Sequence, residues 1–352
     1  MSEPLRVLIA GNGLAARVLA LSLQEAGVQV KVAGSVLEGA ASPVAYGMIN
    51  PVHLRTATLA WKAEILVPLA LDFYQNVQAR TGGSPWFFPS GATHLCANEE
   101  EANLFRMQAE SGPLFGWIQW RSDALSFEIP KAAYVDTPGL LAALRMLIGE
   151  NSFIETSWHY TDFAPVSKGW SFQEDVFSHV VFAEGYRVLE NPYFGKVPFK
   201  PNKGQGIHVK GQEVSAPHCW HKTYFFMGLP GKPWKVGSTY QSRFQGLEAE
   251  APEEQMLLAA ASAHGFKVDE CTSWTGIRPA SGDRRPVIGA HPFIPGLFIL
   301  NGLGSRGLSA APAMADQLTQ HIVHRQPLWS EVNVARFSKR LAQSEILKSF
   351  SS

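Results

Sequence analysis

The sequence has little of what marks several broad classes of protein. It contains three widely separated cysteines, Cys96, Cys219 and Cys271, so we expect neither a disulfide framework nor a paired zinc or redox motif. The apolar stretch around residues 65–71 is short and is interrupted by Pro68, which predicts no membrane-spanning segment. A first strand is expected from residue 7, which leaves no room for a signal peptide. These absences predict a cytoplasmic protein.

An excess of charge is also lacking. The 30 lysines and arginines balance the 30 aspartates and glutamates, so no overall field attracts nucleic acid, an acidic partner or an anionic membrane surface. With 352 residues, of which 46% are hydrophobic, the chain is long enough for two domains or for one large domain with an insertion. Its function must therefore be sought in local motifs.

The most informative motif lies at residues 6–35, which have the pattern of a strand, a glycine turn, a helix and a second strand. Gly11 is expected to make the tight turn, and Gly13 to let the backbone approach a pyrophosphate at the N-terminus of the helix. Ala16 takes the third small position of this dinucleotide-binding pattern. The residues predicted to contact the nucleotide are Gly11, Asn12, Gly13, Leu14, Ala15 and Ala16.

Two features of this motif leave alternatives open. Glycine also ends strands and opens helices for structural reasons alone, so a plain βαβ turn is the competing interpretation. The acidic residue that usually follows the second strand and binds the ribose is replaced by Ala33, Gly34 and Ser35, and the nearest acid, Glu38, lies further along. This replacement weakens any prediction of NAD as the ligand.

A second glycine-rich block lies at residues 301–308, where a predicted strand ends. Three glycines within six residues precede a helix that we expect to open at Ala311 and Pro312. Such a turn offers backbone N–H groups and the positive end of a helix to a planar anion. The residues predicted to bind it are Gly302, Gly304, Ser305, Arg306, Gly307 and Leu308.

Together these motifs resemble the D-amino-acid-oxidase-like FAD-dependent oxidoreductases, a family that includes glycine oxidase and sarcosine oxidase. The resemblance extends over nearly the whole chain, and the segments that carry it are 11–13, 133–138, 180–185, 203–205 and 276–279. It implies bound FAD, with the pyrophosphate at the first glycine turn and the isoalloxazine at the second. By the same resemblance Gly47, Met48, Ala183, Gly185 and Arg278 also bind the cofactor.

Within this family, residues 302–312 and the loop 46–51 are most similar to the oxidase half of MnmC, a bifunctional enzyme that modifies the wobble uridine of tRNA. That likeness makes tRNA an alternative partner. The chain shows no basic excess, so a small amine or amino acid is the substrate predicted first.

The resemblance implies hydride transfer from the carbon beside an amine to flavin N5, followed by hydrolysis of the imine. Arg278 matches the position that commonly holds a substrate carboxylate, with a surface arginine as the alternative. Lys235 matches a strand position where sarcosine oxidases place a lysine that assists oxygen, with an outward-facing lysine as the alternative. Sarcosine oxidases attach FAD through a cysteine near the position of Gly276, where this chain has none, so noncovalent FAD is implied.

A cluster of ligand-type side chains occurs at His218, Cys219 and His221. Two residues of separation on a strand, with no fourth ligand nearby, favour packing in the core over metal binding. No metal is therefore expected.

The predicted fold class is α/β, with a Rossmann-like FAD-binding domain, discontinuous in sequence, and a second, α+β substrate domain built on an antiparallel sheet. The FAD-binding domain is assigned to residues 1–60, 130–190 and 275–325, the substrate domain to 61–129 and 191–274, and a C-terminal helix and tail to 326–352. The predicted function is oxidation of the CH–NH bond of an amine or amino acid of glycine or N-substituted glycine type. The alternatives are removal of the carboxymethyl group from carboxymethylaminomethyluridine in tRNA, and a flavin-binding sensor or assembly protein without turnover.

Overall fold

The computed structural model describes residues 5–121 and 125–350. Its strands are β1 (Arg6–Ala10), β2 (Gln29–Ala33), β3 (Met48–Ile49), β4 (Val52–His53), β5 (Thr58–Leu59), β6 (Phe87–Phe88), β7 (Ala92–Leu95), β8 (Gln119–Trp120), β9 (Ser126–Ile129), β10 (Ala133–Val135), β11 (Phe153–Ile154), β12 (Ala164–Val166), β13 (Gly169–Phe172), β14 (Asp175–Phe177), β15 (His179–Phe182), β16 (Asn202–Lys210), β17 (His218–His221), β18 (Phe225–Gly228), β19 (Trp234–Gly237), β20 (Lys267–Arg278), β21 (Val287–Ala290) and β22 (Leu297–Asn301).

The helices complete the chain. They are α1 (Leu14–Glu25), α2 (Ala41–Val44), α3 (Ala63–Thr81), α4 (Glu99–Glu110), α5 (Thr137–Ile148), α6 (Ala251–Ala263), α7 (Gly307–His324) and α8 (Ser338–Leu341). Short 3-10 helices occupy Glu150–Ser152, Tyr160–Asp162, Gly185–Glu190, Gly304–Arg306, Val334–Phe337 and Glu345–Phe350. None of the helices in the described part of the chain has both the length and the apolar character needed to cross a membrane.

The chain folds as two compact units. The first consists of Met1–Pro43, Leu141–Asn202 and Ile277–Ser352, and the second of Val44–Leu140 and Lys203–Gly276.

The first unit is built on a six-stranded sheet of order β11-β2-β1-β15-β22-β21, parallel except where β21 pairs with β22. Its central strands are apolar throughout because helices and a small sheet cover both faces, and all of residues 7–10 and 297–301 are buried. Helices α1 and α7 pack side by side, with Thr319 Oγ1 donating to Ser22 Oγ at 3.0 Å. In a parallel sheet the carboxyl ends of neighbouring strands share one edge, so the turns after β1, β15 and β22 come together.

The second unit is built on an eight-stranded sheet of order β20-β16-β19-β18-β17-β7-β9-β8. The pairs β16–β19, β18–β19, β17–β18, β7–β9 and β8–β9 are antiparallel, whereas β17 and β7 are parallel. Helix α6 covers one face, where Leu257 and Ala261 pack among Ile207, Phe226 and Val236. Phe105 of α4 packs with Phe127 and Tyr134 in a separate core cluster. The fold class predicted from the sequence, with a parallel sheet in one unit and a mainly antiparallel sheet in the other, is confirmed.

The limits of the two units differ from the predicted domains. Residues 44–60 and 130–140 lie in the second unit, because β10 pairs with β3 and β6 rather than with the six-stranded sheet. Residues 191–202 lie in the first unit, where Tyr193, Phe194 and Val197 join its core. The segment assigned to a C-terminal helix and tail also belongs to the first unit, and its Val334 and Leu341 are buried in the same core.

Some helix ends differ as well. Helix α7 begins at Gly307 rather than at Ala311, because the glycine turn already directs the chain into the helix, and Pro312 lies inside it at the cost of one backbone hydrogen bond. Within the predicted C-terminal helix and tail at 326–352, residues 345–350 form a 3-10 helix, and residues 351 and 352 lie outside the described part of the chain.

Candidate functional site

The first glycine turn is closed tightly against the neighbouring strand. Gly11 has a φ of +135°, and a Cβ added to it would lie 2.3 Å from the carbonyl oxygen of Ala183. Its N–H donates to the carbonyl of Ala33 at 2.9 Å, so the turn is fixed to the end of β2 as well. Only glycine fits such a position. The structure thus gives Gly11 the tight turn that the sequence predicts.

The start of α1 presents a helix N-terminus that has no side chain at its cap. Gly13 is the N-cap and brings no side chain, and the only atoms within 4 Å of an added Cβ are Ser42 Oγ at 3.0 Å and Ser42 Cβ at 3.9 Å. The N–H of Leu14 donates to Ser42 Oγ at 3.0 Å. The N–H groups of a first helical turn and the helix dipole together favour an anion here. These residues fit the pyrophosphate of a dinucleotide.

The turn after β15 lies beside this loop. Ala183 donates its N–H to the carbonyl of Ala10 at 2.8 Å, which places it against the glycine turn. Gly185 has a φ of +63°, and its carbonyl accepts a hydrogen bond from Asn301 Nδ2 at 3.0 Å. The turns after β1, β15 and β22 therefore form one continuous edge.

The second glycine turn follows β22. Gly302 and Gly304 have φ values of +73° and +57°, so two left-handed residues reverse the chain into the 3-10 turn that precedes α7. The Gly302 N–H donates to Asn301 Oδ1 at 2.8 Å, and the Gly304 N–H donates to the carbonyl of Pro279 at 3.1 Å. A Cβ added to Gly307 would lie 3.6 Å from Leu14 Cδ2, so the starts of α7 and α1 adjoin.

Two arginines stand near these turns. Arg306 is half-buried, and desolvation lowers the pKa of its guanidinium to about 10. Arg278, at the end of β20, donates from Nη1 to Asn202 Oδ1 at 2.8 Å, which fixes the side chain that the sequence assigned to a substrate carboxylate. The strand leading to Arg278 is fixed too, because the Ile277 N–H donates to the carbonyl of Gly39 at 2.9 Å.

Three of the predicted residues, Gly47, Met48 and Lys235, belong to the second unit. Gly47 has a φ of +92°, and a Cβ added to it would lie 2.0 Å from the carbonyl oxygen of Val135. Met48 follows it on β3, paired with Tyr134. The structure therefore places Gly47 and Met48 on the small sheet of the second unit, outside the nucleotide-binding sheet to which residues 1–60 were assigned.

Lys235 projects from β19 into a partly enclosed position. Its Nζ donates to the carbonyl of Ala45 at 3.3 Å, and Tyr46 Oη donates to the Lys235 carbonyl at 3.4 Å. Burial lowers the pKa of the Lys235 ammonium, an effect that nearby Asp136 partly offsets. Lys235 is half-buried.

The sheet face around Lys235 carries other titratable groups. His208 stands opposite Lys235 on β16, and the charge of Lys235 adds to burial in lowering the pKa of His208. Further along, the Nδ1 atoms of His94 and His221 are 3.0 Å apart. Burial, followed by the neighbouring His94, lowers the pKa of His221 to about 3. Cys219 is buried as predicted for a core residue, whereas His218 is exposed.

Sequence inspection missed the partner of His221, because His94 lies 127 residues away. His94, Cys96 and Glu101 bring ligand-type atoms within 4.8 Å of one another. Glu101 has a structural role in this group. It accepts from the Ala97 N–H at 2.6 Å, its other oxygen lies 3.1 Å from His94 Nε2, and its own N–H donates to Asn98 Oδ1 at the start of α4.

A second group that sequence inspection missed is Glu184, in the turn after β15. Its carboxyl is buried, with Tyr160 Oη donating to Oε2 at 2.8 Å and Asn191 Nδ2 donating to Oε1 at 2.6 Å. Burial raises the pKa of Glu184 to about 7, although both hydrogen bonds oppose the shift.

The parallel sheet with two adjoining glycine turns at its carboxyl edge is the arrangement of a dinucleotide-binding protein. The chain belongs to the DAO family of FAD dependent oxidoreductases, which it matches over residues 6–321. It is therefore an FAD-dependent oxidoreductase.

Known relatives and structures add detail. The chain is 25% identical over 382 residues to the tRNA 5-methylaminomethyl-2-thiouridine biosynthesis bifunctional protein MnmC of Polaromonas naphthalenivorans, covering 94% of this chain and 59% of that protein. Its fold is similar to that of iminodiacetate oxidase from Chelativorans sp. BNC1, with a TM-score of 0.76, 20% identity, and coverage of 93% of this chain and 98% of the other. Glycine oxidase from Geobacillus kaustophilus gives a TM-score of 0.75, also with 20% identity, and coverage of 95% and 98%. The chain thus spans about three fifths of the length of the MnmC relative.

Proposed function

We propose that this protein oxidises the CH–NH bond of a small amine or amino acid, of glycine or N-substituted glycine type, with noncovalent FAD as cofactor. The observation that carries the proposal is the meeting of the two glycine turns at the adjoining starts of α1 and α7, because two helix N-termini at one edge of a parallel sheet favour both a pyrophosphate and a planar anion. Bound FAD supplies an acceptor for the hydride that leaves the carbon beside the amine.

The proposed cofactor residues are those of the two turns and their neighbours. Gly11, Asn12, Gly13, Leu14, Ala15 and Ala16 would hold the pyrophosphate, and Gly302, Gly304, Ser305, Arg306, Gly307 and Leu308 the isoalloxazine. Gly47, Met48, Ala183 and Gly185 are proposed as further contacts. Residues 275–277 are threonine, glycine and isoleucine, so no thiol stands at the position where sarcosine oxidases attach the flavin, which supports noncovalent binding.

Arg278 and Lys235 are proposed to act on the substrates. The Arg278 guanidinium, held by Asn202, suits a bidentate grip on an amino-acid carboxylate, which orients the carbon that loses the hydride. The Lys235 ammonium would stabilise negative charge that develops on oxygen as it is reduced. No strong base is required for hydride loss from a neutral amine.

A second candidate is removal of the carboxymethyl group from carboxymethylaminomethyluridine in tRNA. The similarity to MnmC over 94% of this chain favours it, and the target group is itself an N-substituted glycine. The charge of the second unit supports the small substrate instead. That unit has thirteen lysines and arginines against sixteen aspartates and glutamates, whereas a polyanion is bound through a cationic excess.

The test is anaerobic mixing of the purified, FAD-loaded protein with glycine, sarcosine, D-alanine, D-proline, or tRNA bearing the carboxymethylaminomethyl group. We expect a free amino acid to bleach the visible flavin absorbance. Bleaching by the tRNA alone would establish the second candidate. Bound FAD that none of these reduces would leave a flavin-binding protein without turnover, the third interpretation of the sequence.

A further inference from the structure

The turn after β2 lacks the acidic side chain that usually binds the ribose of a dinucleotide, and the structure shows what stands there instead. The carbonyl of Ala33 accepts from the Gly11 N–H at 2.9 Å and from Trp158 Nε1 at 3.1 Å. Gly34 donates its N–H to Ile154 at 3.1 Å. It has a φ of +141°, and an added Cβ would lie 3.3 Å from Trp158 Nε1. The turn is therefore fixed by backbone bonds at a position that resists a side chain.

Asn12 connects the glycine turn after β1 to the turn after β2 through its side chain. Its Nδ2 donates to the carbonyl of Gly34 at 2.9 Å, and its Oδ1 accepts from Arg17 Nε at 3.0 Å. Arg17 Nε also lies 3.2 Å from the Asn12 carbonyl, and Arg17 Nη1 donates to the carbonyl of Leu141 at 2.6 Å. Both side chains are only 5% exposed, so these bonds are shielded from competing water.

A buried arginine needs such partners to be tolerated. Removing a guanidinium from water is costly, and the cost is offset only where charge-assisted hydrogen bonds replace the lost hydration. Arg17 sits in the first turns of α1, and all three of its hydrogen bonds go to the glycine turn or to the helix behind it. The arrangement fixes the relative positions of the turns after β1 and β2.

Glu38, the acid that follows this turn in the sequence, does not take over the role in this structure. The Glu38 side chain is exposed, and it is the Glu38 carbonyl that is bound, by Tyr186 Oη at 2.8 Å. A solvated carboxylate gains little from a hydroxyl that water would satisfy equally well.

We propose that Asn12 and Arg17 form a clamp that replaces the acidic ribose anchor, so that the adenosine half of FAD is held by a rigid backbone turn and no carboxylate binds its ribose hydroxyls. This inference rests on the proposed FAD site. It makes Arg17 a positioning residue for the cofactor. It also predicts that the nucleotide site has similar affinity for nucleotides with and without the ribose 2′-hydroxyl.

The first experiment uses FAD-depleted protein and measures competition of ADP and 2′-deoxy-ADP with FAD, followed by flavin fluorescence. A hydrogen bond to a carboxylate contributes about 1.5–3 kcal/mol, which corresponds to roughly 10- to 150-fold in affinity. We expect the two nucleotides to compete within about threefold of each other, in the wild-type protein and in Glu38→Gln alike. A preference for ADP of about tenfold or more would overturn the proposal, and its loss in Glu38→Gln would identify Glu38 as the anchor.

The second experiment tests the clamp itself. Arg17→Lys keeps the charge but loses the fork that bonds Asn12 and Leu141 together, so FAD affinity should fall about tenfold or more. Gln24→Met is the matched control, because Gln24 lies on the same helix and bonds the Ile148 carbonyl at 3.1 Å and Ser152 Oγ at 3.1 Å, away from the turn. It should bind FAD like the wild type.

The unfolding midpoint of the FAD-free protein separates positioning from general destabilisation. We expect Arg17→Lys and Gln24→Met to unfold at similar temperatures and to differ in FAD affinity, and Asn12→Ala to behave like Arg17→Lys. Unchanged FAD affinity in Arg17→Lys overturns the clamp. Because both experiments measure binding alone, FAD that binds but is reduced by no amine would refute the proposed activity and leave the clamp standing. Failure of both FAD and ADP to bind refutes the clamp together with the cofactor.

Discussion

The sites proposed in the two units are built from different parts of the chain. In the first unit the proposed cofactor site consists mainly of backbone: turns at Gly11, Gly302 and Gly304, and the first N–H groups of two helices. In the second unit the proposed oxygen site is a side chain, Lys235, on one face of a sheet, where His208 stands opposite it on a paired strand. A backbone site requires positions that carry no side chain, whereas a side-chain site requires particular side chains to come together.

That difference determines how each unit tolerates change. Adding one carbon to a backbone turn moves the chain that forms the site, so the cofactor and the fold fail together. Removing a side chain from the sheet face leaves the strands paired, so one chemical step fails while the cofactor stays bound. Four predictions test this contrast, beginning with the largest effect.

Gly11→Ala should abolish FAD binding. The new Cβ would lie 2.3 Å from the Ala183 carbonyl oxygen in a residue whose φ is +135°, so the turn must move away from β15. We expect a loss of FAD affinity on the order of 100-fold or more, measured by flavin content and fluorescence, with a lower unfolding temperature.

Gly27→Ala is its control. Gly27 also has a positive φ, +79°, but nothing lies within 4 Å of an added Cβ. That variant should lose about 1 kcal/mol of stability from backbone strain and keep its FAD. Equal FAD affinity in the two variants would show that the close contact with Ala183 is not what matters.

The same contrast explains what the sequence could predict. The first glycine turn is local in sequence, since Gly11, Gly13 and Ala16 fall within one strand–turn–helix unit. Because that unit requires small residues at fixed positions, the sequence alone indicates it. The pattern predicted the parallel sheet and the start of α1, whereas Ala183 and Gly185 were implied only by the family resemblance. It failed at the start of α7, where a proline suggested a later beginning.

The second unit was less predictable because its contacts join distant segments. His94 and His221 meet only because β7 pairs with β17, and neither strand has a local feature that specifies the other. The short strands β3 and β10 led to the same difficulty, since their pairing moves residues 44–60 and 130–140 into the second unit. Glu184 was missed for a related reason: its partners Tyr160 and Asn191 come from two separate loops.

Lys235→Met should slow one step and spare the cofactor. Methionine keeps much of the apolar stem of lysine but removes the cation next to the Ala45 carbonyl. We expect reoxidation of the reduced flavin by oxygen to slow by about 100- to 1,000-fold in stopped-flow measurements, with FAD affinity unchanged. Because burial lowers the pKa of Lys235, the wild-type rate should fall with rising pH at a lower pH than an ordinary lysine would give.

Lys210→Met is the matched control for that experiment. Lys210 is exposed at the end of β16, so it should reoxidise at the wild-type rate. A wild-type rate in Lys235→Met as well would remove Lys235 from the proposed mechanism and leave it a structural residue of the sheet.

A substrate-directed effect of intermediate size is expected at Arg278. Arg278→Lys keeps the charge but not the planar fork, so KM for glycine or sarcosine should rise by about 10- to 100-fold while FAD affinity stays constant. Steady-state kinetics with an amine that lacks a carboxylate should show no such rise. Arg284→Lys, at an exposed arginine of the following turn, should match the wild type for both substrates.

The smallest effect concerns stability and pH, and here the units should respond in opposite directions. Burial raises the pKa of Glu184 to about 7 from an ordinary value of 4.5, so the stability gained from its neutral form is complete below pH 4.5 and is lost as the pH rises through about 7. Burial lowers the pKa of His221 to about 3 from 6.5, so its contribution is complete above pH 6.5 and is lost as the pH falls toward 3. Acidification therefore increases the stability that Glu184 contributes and decreases the stability that His221 contributes.

Glu184→Gln isolates the first of these responses. Glutamine imitates the neutral carboxyl, because its Oε1 still accepts from Asn191 and its amide can donate to the Tyr160 oxygen. Urea unfolding should show the variant and the wild type about equally stable at pH 5, and the variant more stable by about 1–3 kcal/mol at pH 8. Glu190→Gln, at an exposed carboxylate of the same segment, should show no such divergence. If Glu184→Gln were instead the less stable protein at pH 8, the ionised carboxylate would have to be the form that the first unit binds best, and its hydrogen bonds from Tyr160 and Asn191 would outweigh the cost of its burial.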